Sequence, residues 1–369
     1  MQKEAVQKAD GMRYAPKGQA KAVCGPGDFP FAAIGLDHGH IYGMCNGLVE
    51  AGANLTSVYD PDPDKVAEFL KTYPGVRAAA SAQAILDDPG VKLVASAPVP
   101  CERGPLGLRV MAHGKDYFTD KPPFTSLDQL DAARRKTVET GKKFAVYYSE
   151  RLHSEAGVYA GRLIQEGAIG RVLQVIGLGP HRLNAATRPA WFFQRRKTGG
   201  ILCDIGCHQV EQFLYYAGAK DARVLHSKVA NYHGRQYPDF EDFGDATLLA
   251  DNGATNYFRV DWFTPDGLGA WGDGRTTILG TDGYIELRKY LDVARDPEGD
   301  HVYWVDRHRE NHVSARGQTG YPFFGELILD CLNRTEKAMS QRHTFFAAEL
   351  ALTAQANALW VEGDVIRDP

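Results

Sequence analysis

A chain of two domains mixing α and β structure is what this sequence predicts. The first is an α/β domain on a parallel sheet, and the second is an α+β domain with an open, mostly antiparallel sheet. Three observations carry that expectation. At 369 residues the chain is too long for one ordinary core. Between residues 29 and 148, short apolar runs alternate with helical patterns, as in βαβ units. Beyond Gly218, aromatic and β-branched residues alternate between strong hairpin turns at Asn252-Gly253 and Asp282-Gly283.

Residues 1–28 are polar and read as an arm, either partly disordered or laid across a neighbouring subunit. They lack the apolar stretch of a signal peptide. The α/β domain then occupies 29–148 and the α+β domain 149–369, with the terminal helix able to turn back onto the first domain. A net charge of −4 and no Lys/Arg-rich run argue against a nucleic-acid binder. No run of about 18 apolar residues predicts a membrane span. Six scattered cysteines without a C-x-x-C fit a reduced, cytoplasmic setting.

Phe29 to Gly35 reads as a strand ending in a glycine turn, Ile41 to Ala51 as a helix, and Ala53 to Asp60 as a strand ending in an acid. Strand, glycine turn, helix, strand and acid make the βαβ unit of a dinucleotide-binding Rossmann domain. Asp60 would accept hydrogen bonds from a ribose 2′-OH and repel a 2′-phosphate, so NAD is favoured over NADP. The glycine fingerprint is altered to Gly35-Leu36-Asp37-His38-Gly39-His40, with Asp37 where the backbone should approach a pyrophosphate. Three outcomes stay open. The cofactor binds in a shifted register on Gly39 and Gly43, the two histidines offset the acid, or the cofactor site is altered or lost. The Asp-His-x-His cluster invites a metal reading, but no further ligand cluster is evident, so no metal is expected.

Helices are expected over Asp64–Tyr73, Ala82–Asp87, Leu106–His113 and Leu127–Gly141. Strands are expected over Val91–Ser96, Asp116–Asp120 and Lys143–Tyr148. Ser96-Ala97-Pro98 lies at a strand's carboxyl end, where ligands bind in open α/β sheets. Asp120-Lys121-Pro122-Pro123 closes the next strand in stiff, non-helical backbone that aims Lys121 into the cleft over the sheet. In the second domain, strands are expected near 223–232, 243–250, 254–263, 275–279 and 283–287, with closing helices at Phe323–Asn333 and Thr344–Trp360. Gly199-Gly200 leads into Asp204, His208 and Glu211, whose spacing puts all three on one helical face. A histidine with a neighbouring carboxylate is the pair best suited to moving a proton near neutral pH. A capping aspartate and a satisfied core histidine would leave the same pattern.

Together these residues resemble the Gfo/Idh/MocA oxidoreductases. The likeness rests on the βαβ with Gly35 and Asp60, on Asp120-Lys121-Pro122 beside the family's E-K-P motif, and on Gly199-Gly200 with Asp204-x-x-x-His208. The resemblance implies a bound nicotinamide cofactor, with Gly35–His40, Asp60, Ser96–Pro98, Asp120 and Lys121 as its contacts. It also implies a sugar or cyclitol substrate between the domains, and a homodimer or homotetramer through the C-terminal sheet. Lys121 matches the family's lysine on the reacting hydroxyl, His208 its general acid/base and Asp204 its supporting acid. Arg151, His153, Trp191 and Glu211 are the further candidates for substrate contacts, and Arg103 lies near where many members carry a histidine. The implied activity is NAD-dependent hydride transfer with a secondary alcohol. The alternatives are a redox-neutral sugar modification with NAD held throughout, and a non-catalytic sugar binder.

Overall fold

The structure, a computed structural model, describes residues 11, 14–16 and 21–361. It resolves into two compact units. One takes 14–147 and 320–345; the other takes Gly11, 148–319 and 346–361. The chain passes from one unit to the other between Tyr147 and Tyr148, and residues 320–345 belong to the N-terminal unit. Most of the expected arm lies outside the described residues. Within it, Val23 N–H donates to the carbonyl of Ala51 at 3.0 Å.

The N-terminal unit runs β1 Pro30–Ile34, α1 His40–Glu50, β2 Asn54–Tyr59, α2 Pro63–Thr72, β3 Arg77–Ala78 and α3 Ala82–Leu86. It continues with β4 Leu93–Ser96, α4 Pro100–Ala112, β5 Asp116–Asp120, α5 Leu127–Thr140 and β6 Phe144–Tyr147. Its six strands pair in the order β3-β2-β1-β4-β5-β6, every neighbouring pair parallel. All residues of β4, β5 and β6 are buried, as a sheet covered on both faces requires. Strand order reverses between β1 and β4, which places a crevice at their carboxyl ends. Asp62 caps α2, Ser126 caps α5, and Gly141 ends α5 in the left-handed conformation.

One helix differs from expectation. α4 begins at Pro100, six residues before the expected Leu106, and continues through Pro105. A proline there lacks the N–H that would reach the Cys101 carbonyl. That carbonyl instead accepts the side-chain amide of Gln129 on α5, at 3.1 Å, which compensates the lost bond.

Gly47 on α1 shows how tightly this unit is filled. A Cβ built there would lie 2.4 Å from the ring of the fully buried Phe324. Gly47→Ala adds about 1 kcal/mol of helix propensity. Overpacking a closed core costs about 1–3 kcal/mol, so a net loss is expected. A lower urea midpoint for G47A checks it; a raised midpoint contradicts it.

The C-terminal unit begins with α6 Ser149–Leu152, α7 Glu155–Gln165, β7 Val172–Pro180, α8 Arg195–Thr198, α9 Ile201–Asp204 and α10 Gly206–Ala217. There follow β8 Ala222–Ala230, β9 Phe243–Ala250, β10 Thr255–Asp261, β11 Arg275–Gly280, β12 Tyr284–Arg288, β13 His301–Val305 and β14 Glu310–Ser314. Of the last two helices, α11 Pro322–Asn333 belongs to the N-terminal unit and α12 Gln341–Ala356 passes from that unit into this one, before β15 Leu359–Val361. Nine strands pair in the order β14-β13-β12-β11-β7-β10-β9-β8-β15, antiparallel except for β7 with β10 and β8 with β15. Along β10, β11 and β12 one face is buried and the other carries Tyr257, Thr277, Leu279 and Tyr284 in the open.

Besides the short β3 and β15, two strands escaped sequence reading, β13 and β14. Their connection lacks an Asn-Gly or Asp-Gly. Asp306 makes the turn by accepting the N–H groups of His308 and Arg309 at 2.8 and 3.1 Å. The last helix ends at Ala356 and not at Trp360, because Leu359–Val361 pairs in parallel with β8.

Candidate active site

In the N-terminal unit, the turn after β1 has Gly35 at φ +81°, where a Cβ would meet Pro98 at 2.8 Å. This glycine is required twice over, by its backbone and by its neighbour. The next residue's N–H, that of Leu36, donates to Asp60 Oδ2 at 2.6 Å, while Asp60 Oδ1 accepts Asp62 N–H at 2.9 Å. The Asp60 side chain is fully buried. Its first task is therefore to hold the loop, rather than to stand open for a ribose.

The acid in the loop is answered, though not by the histidines. Asp37 Oδ1 accepts from Lys65 Nζ at 2.6 Å, and Oδ2 accepts Val99 N–H at 3.3 Å. Lys65, on α2, also lies 4.0 Å from Asp60. Of the three outcomes open for this loop, an offset by His38 and His40 gives way to one by Lys65. Both rings turn to Asp120, His40 Nδ1 at 2.8 Å from Oδ1 and His38 Nδ1 at 3.3 Å from Oδ2. Burial, then His40, hold the His38 pKa well below its ordinary value. For Asp120, burial pushes upward, but His40, Arg103 and His38 outweigh it and the carboxyl stays ionised.

These donors of His38, His40 and Asp120 lie within 4.8 Å of one another, a spacing a metal ion could use. Arg103 stands 3.1 Å from the same carboxylate oxygen, so its charge is balanced by the protein itself. The unit suits a dinucleotide for a different reason. The N-terminus of α1 begins beside the loop, its first turn has no acidic residue, and Asp37 is neutralised by Lys65. A helix N-terminus without competing acid attracts a pyrophosphate. Ser96 hydrogen-bonds Tyr117 and Thr119 at 2.6 and 3.1 Å, which fixes the β4 end on which Ala97 and Pro98 sit.

In the C-terminal unit, the expected single helix over 199–211 is two, α9 and α10, joined at Ile205. The break places Asp204 at the end of one helix and His208 in the first turn of the next. Gly200, at φ +90°, starts α9 where a Cβ would strike Gln355 at 2.4 Å. Glu241 fixes that start by accepting Ile201 N–H at 2.8 Å and the Gln355 amide at 2.9 Å. Asp204 lines a recess of about 270 Å³ with Phe192, Arg195, Phe240, Glu241 and Trp262. Most of that volume is open to solvent; the enclosed part, about 10 Å³, has room for one water-sized group such as a hydroxyl.

His208 is 1% exposed and meets Tyr148 edge to face, ring centroids 6.4 Å apart. A buried polar network surrounds it. Gln212 donates to the His208 carbonyl at 3.0 Å, Gln209 donates to Glu150 Oε2 at 2.8 Å, and Lys289 donates to Gln212 and Glu150 at 2.6 and 3.2 Å. Burial pushes the Glu150 carboxyl upward. Lys289, His208 and His181 together pull it down to about 2. This carboxylate was not legible in sequence, since its cation lies 139 residues away.

That depressed pKa has a consequence for acid stability. Its contribution is full above the ordinary value of about 4.5 and is lost as pH falls towards 2. In Glu150→Gln the loss over that window should be smaller than in wild type, as read by urea denaturation at stepped pH. Equal acid slopes would show that Glu150 does not carry it.

Glu211 and Arg151, both candidates for substrate contacts, already have a partner within the fold. They pair with each other, Arg151 Nε lying 2.9 Å from both carboxylate oxygens, with Arg151 stacked 3.8 Å over Tyr215. Glu211 is fully buried, as is His153. His181 sits between Trp262 and Trp271, and Arg182 holds the carbonyls of Pro265 and Leu268. Trp191 is half-buried in a 3-10 turn against Phe192 and is absent from the recess, where Trp262 and Phe192 stand instead.

A doubly wound parallel sheet with a glycine turn at its switch point, followed by an α+β unit carrying a buried histidine, is the construction of nicotinamide-dependent oxidoreductases. The chain belongs to the Gfo/Idh/MocA oxidoreductase family. Residues 22–148 match its NAD-binding Rossmann fold, and 158–286 match its C-terminal domain. A solved structure from Erwinia carotovora atroseptica, described as an oxidoreductase, is 53% identical with a TM-score of 0.88, over 90% of this chain and 100% of that one. The NAD(+)-dependent scyllo-inositol 2-dehydrogenase of Bacillus subtilis is 27% identical over 240 residues, 63% of this chain; the matched stretch spans 66% of that relative's own length. Levoglucosan dehydrogenase, solved with NADH and levoglucosan, shares the fold at 17% identity and a TM-score of 0.66, over 90% of this chain and 91% of its own. Among the described residues, no helix is long and apolar enough to cross a membrane.

Proposed function

We propose that this protein transfers hydride between a secondary alcohol of a sugar or cyclitol and NAD. The observation that carries the reading is the setting of His208, buried on α10 within electrostatic reach of a carboxylate that stays ionised. Such a histidine can take a proton without leaving its place. In the alcohol-to-ketone direction, His208 accepts the hydroxyl proton as the carbon loses its hydride. Lys121, at the end of β5, stabilises the oxygen's developing negative charge, and Asp204 binds a neighbouring hydroxyl from the recess. NAD, when bound, supplies the hydride acceptor. The residues that would hold it are the loop Gly35–His40 with the α1 N-terminus, Asp60 behind that loop, and the β4 end at Ser96–Pro98. The exposed Tyr257, Leu279 and Tyr284 face of the nine-stranded sheet favours a homo-oligomer, and sedentary apolar strand faces of this kind usually find a partner.

The test is direct. Purified protein is incubated with NAD+ and a polyol panel that includes scyllo-inositol and levoglucosan, and the nicotinamide absorbance is followed. Stoichiometric NADH and ketone are expected. Product without NADH would replace this reading by a redox-neutral one. No turnover on a wide panel, despite NAD binding by calorimetry, would leave a binder.

A further inference from the structure

Arg103 is the feature of the N-terminal unit that this reading leaves unused. It is 0% exposed, so its buried charge depends on the groups packed around it. Nε donates to the Pro98 carbonyl at 2.8 Å. Nη1 donates to the carbonyls of Lys121 and Pro122. Nη2 lies 3.1 Å from Asp120 Oδ2. One planar group therefore joins the carboxyl end of β4 to that of β5, gripping Lys121 by its own backbone. It also gives Asp120 a cation other than the lysine next to it in sequence. A lysine at 103 could not reproduce this, because its donors radiate from one atom instead of a fixed fork.

We propose that Arg103 is a positioning residue for Lys121, holding the strand-end turn so that the ammonium meets the reacting oxygen. The inference rests on the reading of Lys121 as the group that stabilises that oxygen.

The experiment compares Arg103→Ala, Arg103→Lys, Lys121→Ala and the double variant R103A/K121A in the full chain, on the panel polyol with the highest turnover. Misplacing a catalytic group by about 1 Å costs about 10²-fold, so R103A should lose about that in kcat with little change in KM. R103K should fall between R103A and wild type. Added guanidinium chloride should restore part of the R103A rate and none of the K121A rate. Residues acting as a unit are non-additive, so R103A/K121A should be no slower than K121A. Wild-type kcat in R103A, or losses that multiply in the double variant, would overturn the proposal. If R103A does not fold, R103K decides: a lowered kcat at an unchanged melting temperature supports it, and an unchanged kcat overturns it. Should K121A keep full turnover, the reading of Lys121 fails and this inference with it. An inactive K121A beside fully active Arg103 variants sinks the inference alone.

Discussion

Replacing His208 by alanine is expected to lower kcat by about 10²–10⁴-fold, the usual contribution of a positioned acid/base. NADH binding should survive, because the dinucleotide fold is built from residues of the N-terminal unit while His208 stands on α10 of the other. The loss should appear in kcat and kcat/KM alike, as for an interaction made in the transition state. Steady-state kinetics beside calorimetry with NADH separate these effects. His208→Gln keeps the size and a hydrogen-bonding group but cannot carry the proton, so it should be as slow as the alanine variant. A glutamine variant near wild-type rate would reduce His208 to a positioning or packing role. The network beside His208, which bonds its backbone carbonyl, makes the comparison clean. Gln212, Lys289 and Glu150 are fixed by one another, so the vacated site keeps its walls.

The elements around these residues were legible because local signals and tertiary structure agree. β5 matches its expected span at Asp116–Asp120, and β9 matches 243–250, since each is a short run bounded by turn residues. Lys121 and His208 could be singled out because their neighbours, Pro122 and Gly199-Gly200, constrain the backbone. What was not legible depended on distant partners. The α4 start was hidden by prolines whose lost bond Gln129 repairs from the next helix. Asp37 looked like an obstacle to a pyrophosphate because Lys65, 28 residues on, gives no sign in sequence that it will neutralise it. Glu211 looked like a ligand to substrate because helical spacing says which face a side chain takes, and says nothing of the arginine waiting there.

That last residue gives the largest expected effect on stability. Removing one member of a buried ion pair strands the other and costs about 3–5 kcal/mol. Glu211→Ala leaves the Arg151 guanidinium buried, with Tyr215 under its face. For a unit of this size 1 kcal/mol moves a melting temperature by about 2–4 °C, so a fall of about 6–20 °C is expected for the C-terminal unit. The double variant Glu211→Leu with Arg151→Met replaces the pair by apolar groups of similar volume. It should recover most of the loss, because two hydrophobic side chains need no partner. A substrate contact predicts the opposite pattern: E211A would melt as wild type does while its KM rises. Thermal unfolding and KM, measured on the same two variants, therefore decide whether Glu211 serves the fold or the substrate. The geometry of its pairing with Arg151 argues for the fold.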